Sequence, residues 1–284
     1  LSQPCSNCSE LPENEHCYQE IRVEVKENLE GYIGSGVSWQ RPETLAKALV
    51  SSYHATDNKK VWHLTRDLGL REIQCNEGII QRCGVQIFGI IDNKTGEMRD
   101  FWIYNPVSPK LLEKMVGHVQ RFSKLKGLVR GKQFATFSQG KMCAFGERTP
   151  RGGAPGDCHR LYDYMGAHSE EALECLFDNA EDSLILSEVA RMTSPAVYRQ
   201  IRAVTGEGEK IGLDSSTLYY CNNYTAAMHL DKDAGPGLCA LVELEAELHD
   251  YTFINLGYDF YFAPRANSMW SFRGSDVHGT TLPA

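Results

Sequence analysis

The stretch 219-YYCNNYTAAMHLDKDAGPG-237 decides how the chain is read. It runs from an aromatic, strand-like segment into His229-Leu-Asp231-Lys-Asp233 and then into a Gly/Pro turn. On a strand, residues two apart share a face, so His229 and Asp231 direct an imidazole and a carboxylate to one point. Asp233 joins that side if the strand continues; otherwise it is a turn residue capping Ala-Gly-Pro-Gly. A second histidine, His278, stands 49 residues after His229, inside "SFRGSDVHGTTLP". Two imidazoles and one carboxylate on one face of an octahedral metal leave three positions open for other ligands.

The surroundings of this stretch read as β-structure. From about 216 to the end the pattern is short strands and turns: "STLYYCNN", "LCALVELE", "YTFINLG", "YDFYFAP", "NSMWSFRG" and "VHGTTLP". Upstream the pattern changes. "PETLAKALVSSYHAT" (42–56) predicts a helix opened by Pro. "VQIFGIIDNKTGEMRDFWIY" (85–104) carries two apolar runs around Asp-Asn-Lys-Thr-Gly, a β-hairpin signal. "SPKLLEKMVGHVQRFSKL" (108–125) has apolar residues at helical spacing, with Ser108 as cap and Pro109 in the first turn. Residues 169–204 hold two helical patterns, the second started by Pro195. "GERTPRGGAPGD" (146–157) is a loop. The expected organisation is a polar arm over 1–20 and a single α+β domain over 21–284. Within it, 21–215 forms a support of helices and a hairpin, and 216–284 the β-core.

Composition bounds the function. The chain has 284 residues, 42% apolar and 23% charged, enough for a sizeable core. It contains no run of 18 apolar residues and no signal peptide pattern. A formal charge of −8 argues against a protein that coats nucleic acid non-specifically. Local basic patches remain, at Lys124–Lys132 and at Arg148, Arg151 and Arg160. The ten cysteines are mostly scattered, some within apolar segments, which points to a reducing intracellular compartment. The sequons at Asn7, Asn93 and Asn223 then count as chance. Cys5-x2-Cys8 has zinc-ligand spacing, but the following His16-Cys17 does not, because adjacent His and Cys rarely bind one ion together.

The residues carry a resemblance. The pattern H-x-D, a turn, then F-x(4–5)-H-G-x-x-x-P over roughly 216–284 resembles the Fe(II)/2-oxoglutarate-dependent dioxygenase superfamily. "HLDKDAGPG" is similar to the H-x-D-K-D/E of AlkB-like demethylases, and "RANSMWSFRGSDVHGTTLP" to fungal proteins related to the TET/JBP enzymes, which oxidise methylated bases. The resemblance implies a double-stranded β-helix (jelly-roll) core and Fe(II) held by His229, Asp231 and His278, with 2-oxoglutarate as co-substrate. It implies methylated DNA or RNA as substrate, a nuclear or cytoplasmic location, and DNA demethylation as outcome. Oxidising an N-methyl releases formaldehyde; oxidising a C5-methyl leaves a hydroxymethyl. Asp233 would accept from the exocyclic amine of the target base. Tyr220 would hydrogen-bond 2-oxoglutarate, in competition with Asn222 and Tyr224, or be a core aromatic. The family grips the distal carboxylate with an Arg on the strand after the distal histidine. Six residues follow His278, so either that Arg lies beyond this sequence or another residue substitutes, Arg273 first and then Arg265. Two alternatives stand beside this expectation: the same chemistry on a protein side chain or small molecule, and an inactive jelly-roll binding module.

Overall fold

The computed structural model describes residues 4–27, 29, 70–124, 138–148, 160–161, 169–209, 217–226, 228–231, 233, 235–245 and 250–281. The helix expected over 42–56 and most of the basic segment 124–132 lie outside them. The architecture is α+β. In chain order the strands are β1 (Tyr18–Val23), β2 (Arg71–Ile73), β3 (Gln86–Asp92), β4 (Met98–Tyr104), β5 (Ser138–Phe145), β6 (Glu147–Arg148) and β7 (Arg160–Leu161). They continue with β8 (Leu218–Ala226), β9 (Pro236–Leu241), β10 (Phe253–Asn255), β11 (Phe260–Phe262), β12 (Ser268–Arg273) and β13 (His278–Thr280). The α-helices are α1 (Glu77–Cys83), α2 (Pro109–Lys124), α3 (Ser169–Thr193) and α4 (Pro195–Glu209).

Local chemistry sets these elements. The β3–β4 hairpin turns through Asp92–Gly96, where Gly96 takes φ 71° and donates to the Asp92 carbonyl at 2.7 Å. Ser108 caps α2, its hydroxyl accepting from the Leu111 amide at 3.4 Å, and Met115, His118 and Phe122 form the buried stripe. Ser194 separates α3 from α4 and accepts from the Val197 amide. The sequence pattern missed α1, which is too short for a period to register. Its cap is unambiguous in space: Asn76 accepts from the amides of Gly78 and Ile79.

The main sheet runs β1-β3-β4-β12-β9, with β1 parallel to β3 and the other neighbours antiparallel. It draws strands from both ends of the chain, so the expected partition into a helical support and a separate C-terminal β-core does not describe it. Four two-stranded ribbons complete the β-structure: β10–β13, β11–β2, β5–β8 and β6–β7. Among the described residues no barrel closes. Residues 8–17, expected as part of a polar arm, are anchored: Cys8 and Cys17 are buried against Ile79 of α1.

The sheet is covered on both faces. One side carries Ile87, Phe101, Ile103 and Met269 against Leu186, Ala190 and Val197 of α3 and α4. The other carries Phe88, Ile90, Trp102, Tyr104 and Trp270 beneath Tyr258, Phe260 and Phe262. There Trp102 stacks on Trp270 (4.3 Å between centroids) and on Phe262 (4.6 Å). Asp100 is buried beside this aromatic layer. It accepts from the Tyr258 and Ser271 hydroxyls and lies 3.9 Å from Arg99. Burial pushes its carboxyl up to about 6, against the pull of Tyr258 and of the Arg273 and Arg99 charges. The folded state therefore holds a proton at Asp100 that the unfolded chain releases, and stability falls as pH rises from the ordinary value of 3.8 through 6. Asp100→Asn removes that loss. Urea unfolding in steps from pH 4 to 7 should show the unsubstituted chain losing on the order of 2–3 kcal/mol relative to the variant. Parallel pH profiles for the two would contradict the assignment.

Candidate metal centre

Backbone pairing brings the two histidines together. His229 follows β8 and His278 opens β13, and they form an isolated antiparallel bridge. The His229 amide donates to the His278 carbonyl at 2.8 Å, and the His278 amide to the His229 carbonyl at 3.0 Å. Such a pair sets both side chains on one face. The imidazole centroids are 4.4 Å apart. Asp231 returns to that face two residues later, tied by its amide to the Gly274 carbonyl at 2.8 Å. Gly274 is required there, because a Cβ would sit 3.0 Å from the Asp231 Cβ and 2.9 Å from an Asp233 carboxylate oxygen.

The three side chains converge. Asp231 Oδ2 lies 3.5 Å from His229 Nε2 and 3.4 Å from His278 Nε2, and one ligand atom from each falls within 4.8 Å of the others. His278 Nδ1 is 2.8 Å from the Asp276 carbonyl, which can only accept, so Nδ1 carries a proton and Nε2 offers its lone pair to the centre. Asp276 is itself held by Arg99 and, at 3.2 Å, by Asn255. Phe272 (4.8 Å) and Phe253 (5.8 Å) wall the His278 ring. Burial raises the Asp231 carboxyl, but the facing imidazoles of His229 and His278 outweigh it and hold the group well below the usual carboxylate range. A carboxylate facing two imidazoles needs positive charge between them. With Nδ1 of the buried His278 already donating, a metal cation supplies that charge without burying an imidazolium. Side-chain exposure rises from 4% at His278 through 17% at His229 to 44% at Asp231, so the open side lies at the Asp231 edge.

Asp233 belongs to that edge. It is exposed, and burial of its carboxyl and the neighbouring Asp231 charge raise it above the ordinary value. The other expected contacts lie elsewhere. Tyr220 is a core aromatic: it stacks on Phe122 at 3.8 Å and donates to Asp182 Oδ2 at 2.9 Å, with Asn179 donating to its oxygen. Asp182 also meets His118 Nδ1 at 2.9 Å, which fixes the tyrosine among α2, α3 and β8. Arg273 follows Phe272 on β12 and therefore faces away from His278. Its guanidinium donates to Gln200 on α4 at 3.0 Å and to the Arg99 carbonyl at 3.4 Å. Arg265 pairs with Glu77 at 3.1 Å and contacts the Cys75 sulfur. The residues missed in sequence are Asp276, Arg99, Asn255 and Phe253; Phe272 is the aromatic of the F-x(4–5)-H pattern. Only the Gly274-Ser-Asp276 turn, two residues before His278, carried a local signal.

Comparison of the sequence with protein-family models gave no match, and comparison with curated proteins gave none either.

Tyr220→Phe should lower stability by about 1 kcal/mol in urea unfolding, the net value of one buried hydrogen bond. Titration calorimetry with Fe(II) and added 2-oxoglutarate should give the same result in both chains. A difference there with unchanged stability would return Tyr220 to the site.

Proposed function

We propose that the chain is an Fe(II)/2-oxoglutarate-dependent dioxygenase that oxidises methyl groups on nucleic-acid bases, 5-methylcytosine or N6-methyladenine in DNA. The observation that carries this reading is the convergence of His229, Asp231 and His278 on one side of the β13 bridge. Two nitrogens and one carboxylate oxygen, open toward solvent, match the donor set of non-haem Fe(II) sites that leave positions for a chelating co-substrate. The β10–β13 ribbon on the aromatic side of the five-stranded sheet supports a jelly-roll core, with the metal centre at the ribbon's edge.

When bound, Fe(II) with 2-oxoglutarate would activate O2, the oxidant for chemistry that amino-acid side chains cannot perform. The chain's own residues do the rest. The Asp276 carbonyl fixes the tautomer and tilt of His278. The backbone bridge fixes His229 against it. Phe272 and Phe253 exclude water from the inner side. Asp233, on the exposed side next to Asp231, accepts a hydrogen bond from an exocyclic amine and so favours a base over a bare methyl group. A base in a duplex must leave the stack to reach this edge.

The test is turnover on methylated duplex DNA with Fe(II) and 2-oxoglutarate, followed by digestion and nucleoside mass spectrometry. Loss of the methylated nucleoside should match succinate formed, and His229→Ala should abolish both. Asp233→Ala should lower kcat/KM on DNA by about 10- to 100-fold, the loss of one charge-assisted hydrogen bond. Succinate formed with DNA unchanged would move the substrate to a protein or small molecule. Neither succinate nor bound iron would leave a binding module.

A further inference from the structure

We propose that Cys5, Cys8, Cys17 and Cys83 hold a structural zinc ion, separate from the His/Asp centre. Their four sulfurs lie within 4.8 Å of one another. A tetrahedral zinc with Zn–S of about 2.3 Å places its sulfurs about 3.8 Å apart. Cys5 Sγ and Cys8 Sγ are 3.7 Å apart. That separation is far beyond the roughly 2.05 Å of a disulfide, and all four are free thiols.

The backbone is arranged for thiolates. The Cys5 amide points at the Cys17 sulfur (3.4 Å), and the Cys17 amide at the Cys8 sulfur (3.3 Å). Amide donors to sulfur stabilise the anionic form that binds metal. Cys5 and Cys8 stand on one turn, closed by the Cys8 and Ser9 amides on the Cys5 carbonyl, each at 3.0 Å. Cys17 immediately precedes β1. Cys83 ends α1, where Gly84 at φ 80° turns the chain away. His16, beside Cys17, has its Nε2 2.8 Å from the Leu11 carbonyl and so stays out of the cluster. The fourth ligand is thus a cysteine 66 residues beyond Cys17, invisible to spacing rules.

Four sulfurs fill a tetrahedron, so the site has no open position and its role is structural. Soft thiolates select zinc, whereas an imidazole–carboxylate centre takes zinc as well as iron, so zinc bound there is told apart by its loss in His229→Ala. Among the described residues the segment's apolar cluster is small: Cys8, Cys17 and Ile79 are buried, with Leu11, Cys5 and Cys83 at the rim. Polar ties already set the geometry. Asn7 donates to the Arg82 carbonyl at 3.1 Å, and Arg82 donates to the Glu15 carbonyl at 3.0 Å. The ion would fasten the start of β1, an edge strand joined to β3 only in parallel, to the end of α1. Parallel pairing across so long a crossover costs closure entropy that a metal clip reduces.

The test is metal analysis of the full chain purified under reducing conditions from zinc-supplemented medium. About one zinc per chain is expected in His229→Ala, where the cysteine site alone remains, falling at least tenfold when Cys83→Ser is added, with Cys221→Ser as the unaffected control. Cobalt(II) exchanged into the unsubstituted chain should give the intense ligand-field and sulfur charge-transfer bands of a tetrahedral thiolate site, a readout that needs no variant to fold. Zinc lost from His229→Ala but kept in Cys83→Ser would overturn the proposal. So would an absence of zinc together with no thiolate bands on adding cobalt, or an intact mass showing these cysteines paired as disulfides.

Discussion

Two backbone hydrogen bonds between His229 and His278, 2.8 and 3.0 Å long, are the constraint on which the candidate centre depends. They belong to no named strand pair and join the end of the β8 segment to β13. Everything at the centre follows from that one bridge. The pairing puts both imidazoles on a common face, the strand period brings Asp231 to it, and Gly274 gives Asp231 and Asp233 room to approach. The bridge is short, so its rigidity comes from what surrounds it: Asn255 opposite His278 in β10, Asp276 pinned by Arg99, and aromatic rings over the imidazole.

The large sheet serves this arrangement by dividing its two faces. Helices α3 and α4 bury one side, with Arg273 turned to it. The other side is an aromatic layer, with Trp270 and Phe272 leading by way of Phe253 to His278. Alternation along β12 therefore assigns neighbouring residues to different jobs, Phe272 to the centre and Arg273 to the helix interface. The buried carboxyl of Asp100 links the two, lying under Tyr258 on the aromatic side and close to the charges of Arg99 and Arg273.

The sequence made local structure legible where one residue type fixes one geometry. Ser108 and Pro109 marked α2, Pro195 marked α4, and Asp92–Gly96 marked the hairpin, because caps and turns are short-range chemistry. The H-x-D pair was legible for the same reason: its two side chains share a face by strand period alone. His278 was legible only through its setting of short strands. What the pattern could not carry was orientation and long-range partnership. Tyr220 has the same spacing relative to His229 whether its hydroxyl meets a co-substrate or Asp182, and the helices α2 and α3 decide the matter. Cys83 joins Cys5, Cys8 and Cys17 because α1 ends beside β1, a contact no spacing rule encodes. The mixing of N- and C-terminal strands in one sheet was hidden likewise, since β12 recognises β4 across more than half the chain.

The central claim is that His229, Asp231 and His278 form one iron site with room for a chelating keto acid. The most direct measurement is an anaerobic titration of Fe(II) and 2-oxoglutarate into the chain after brief chelator treatment, followed by visible absorption. The account predicts the charge-transfer band of an iron-bound keto acid at about one per chain, absent in His278→Ala and present in Arg273→Ala. A chain that binds no iron, or a band that survives His278→Ala, would contradict it.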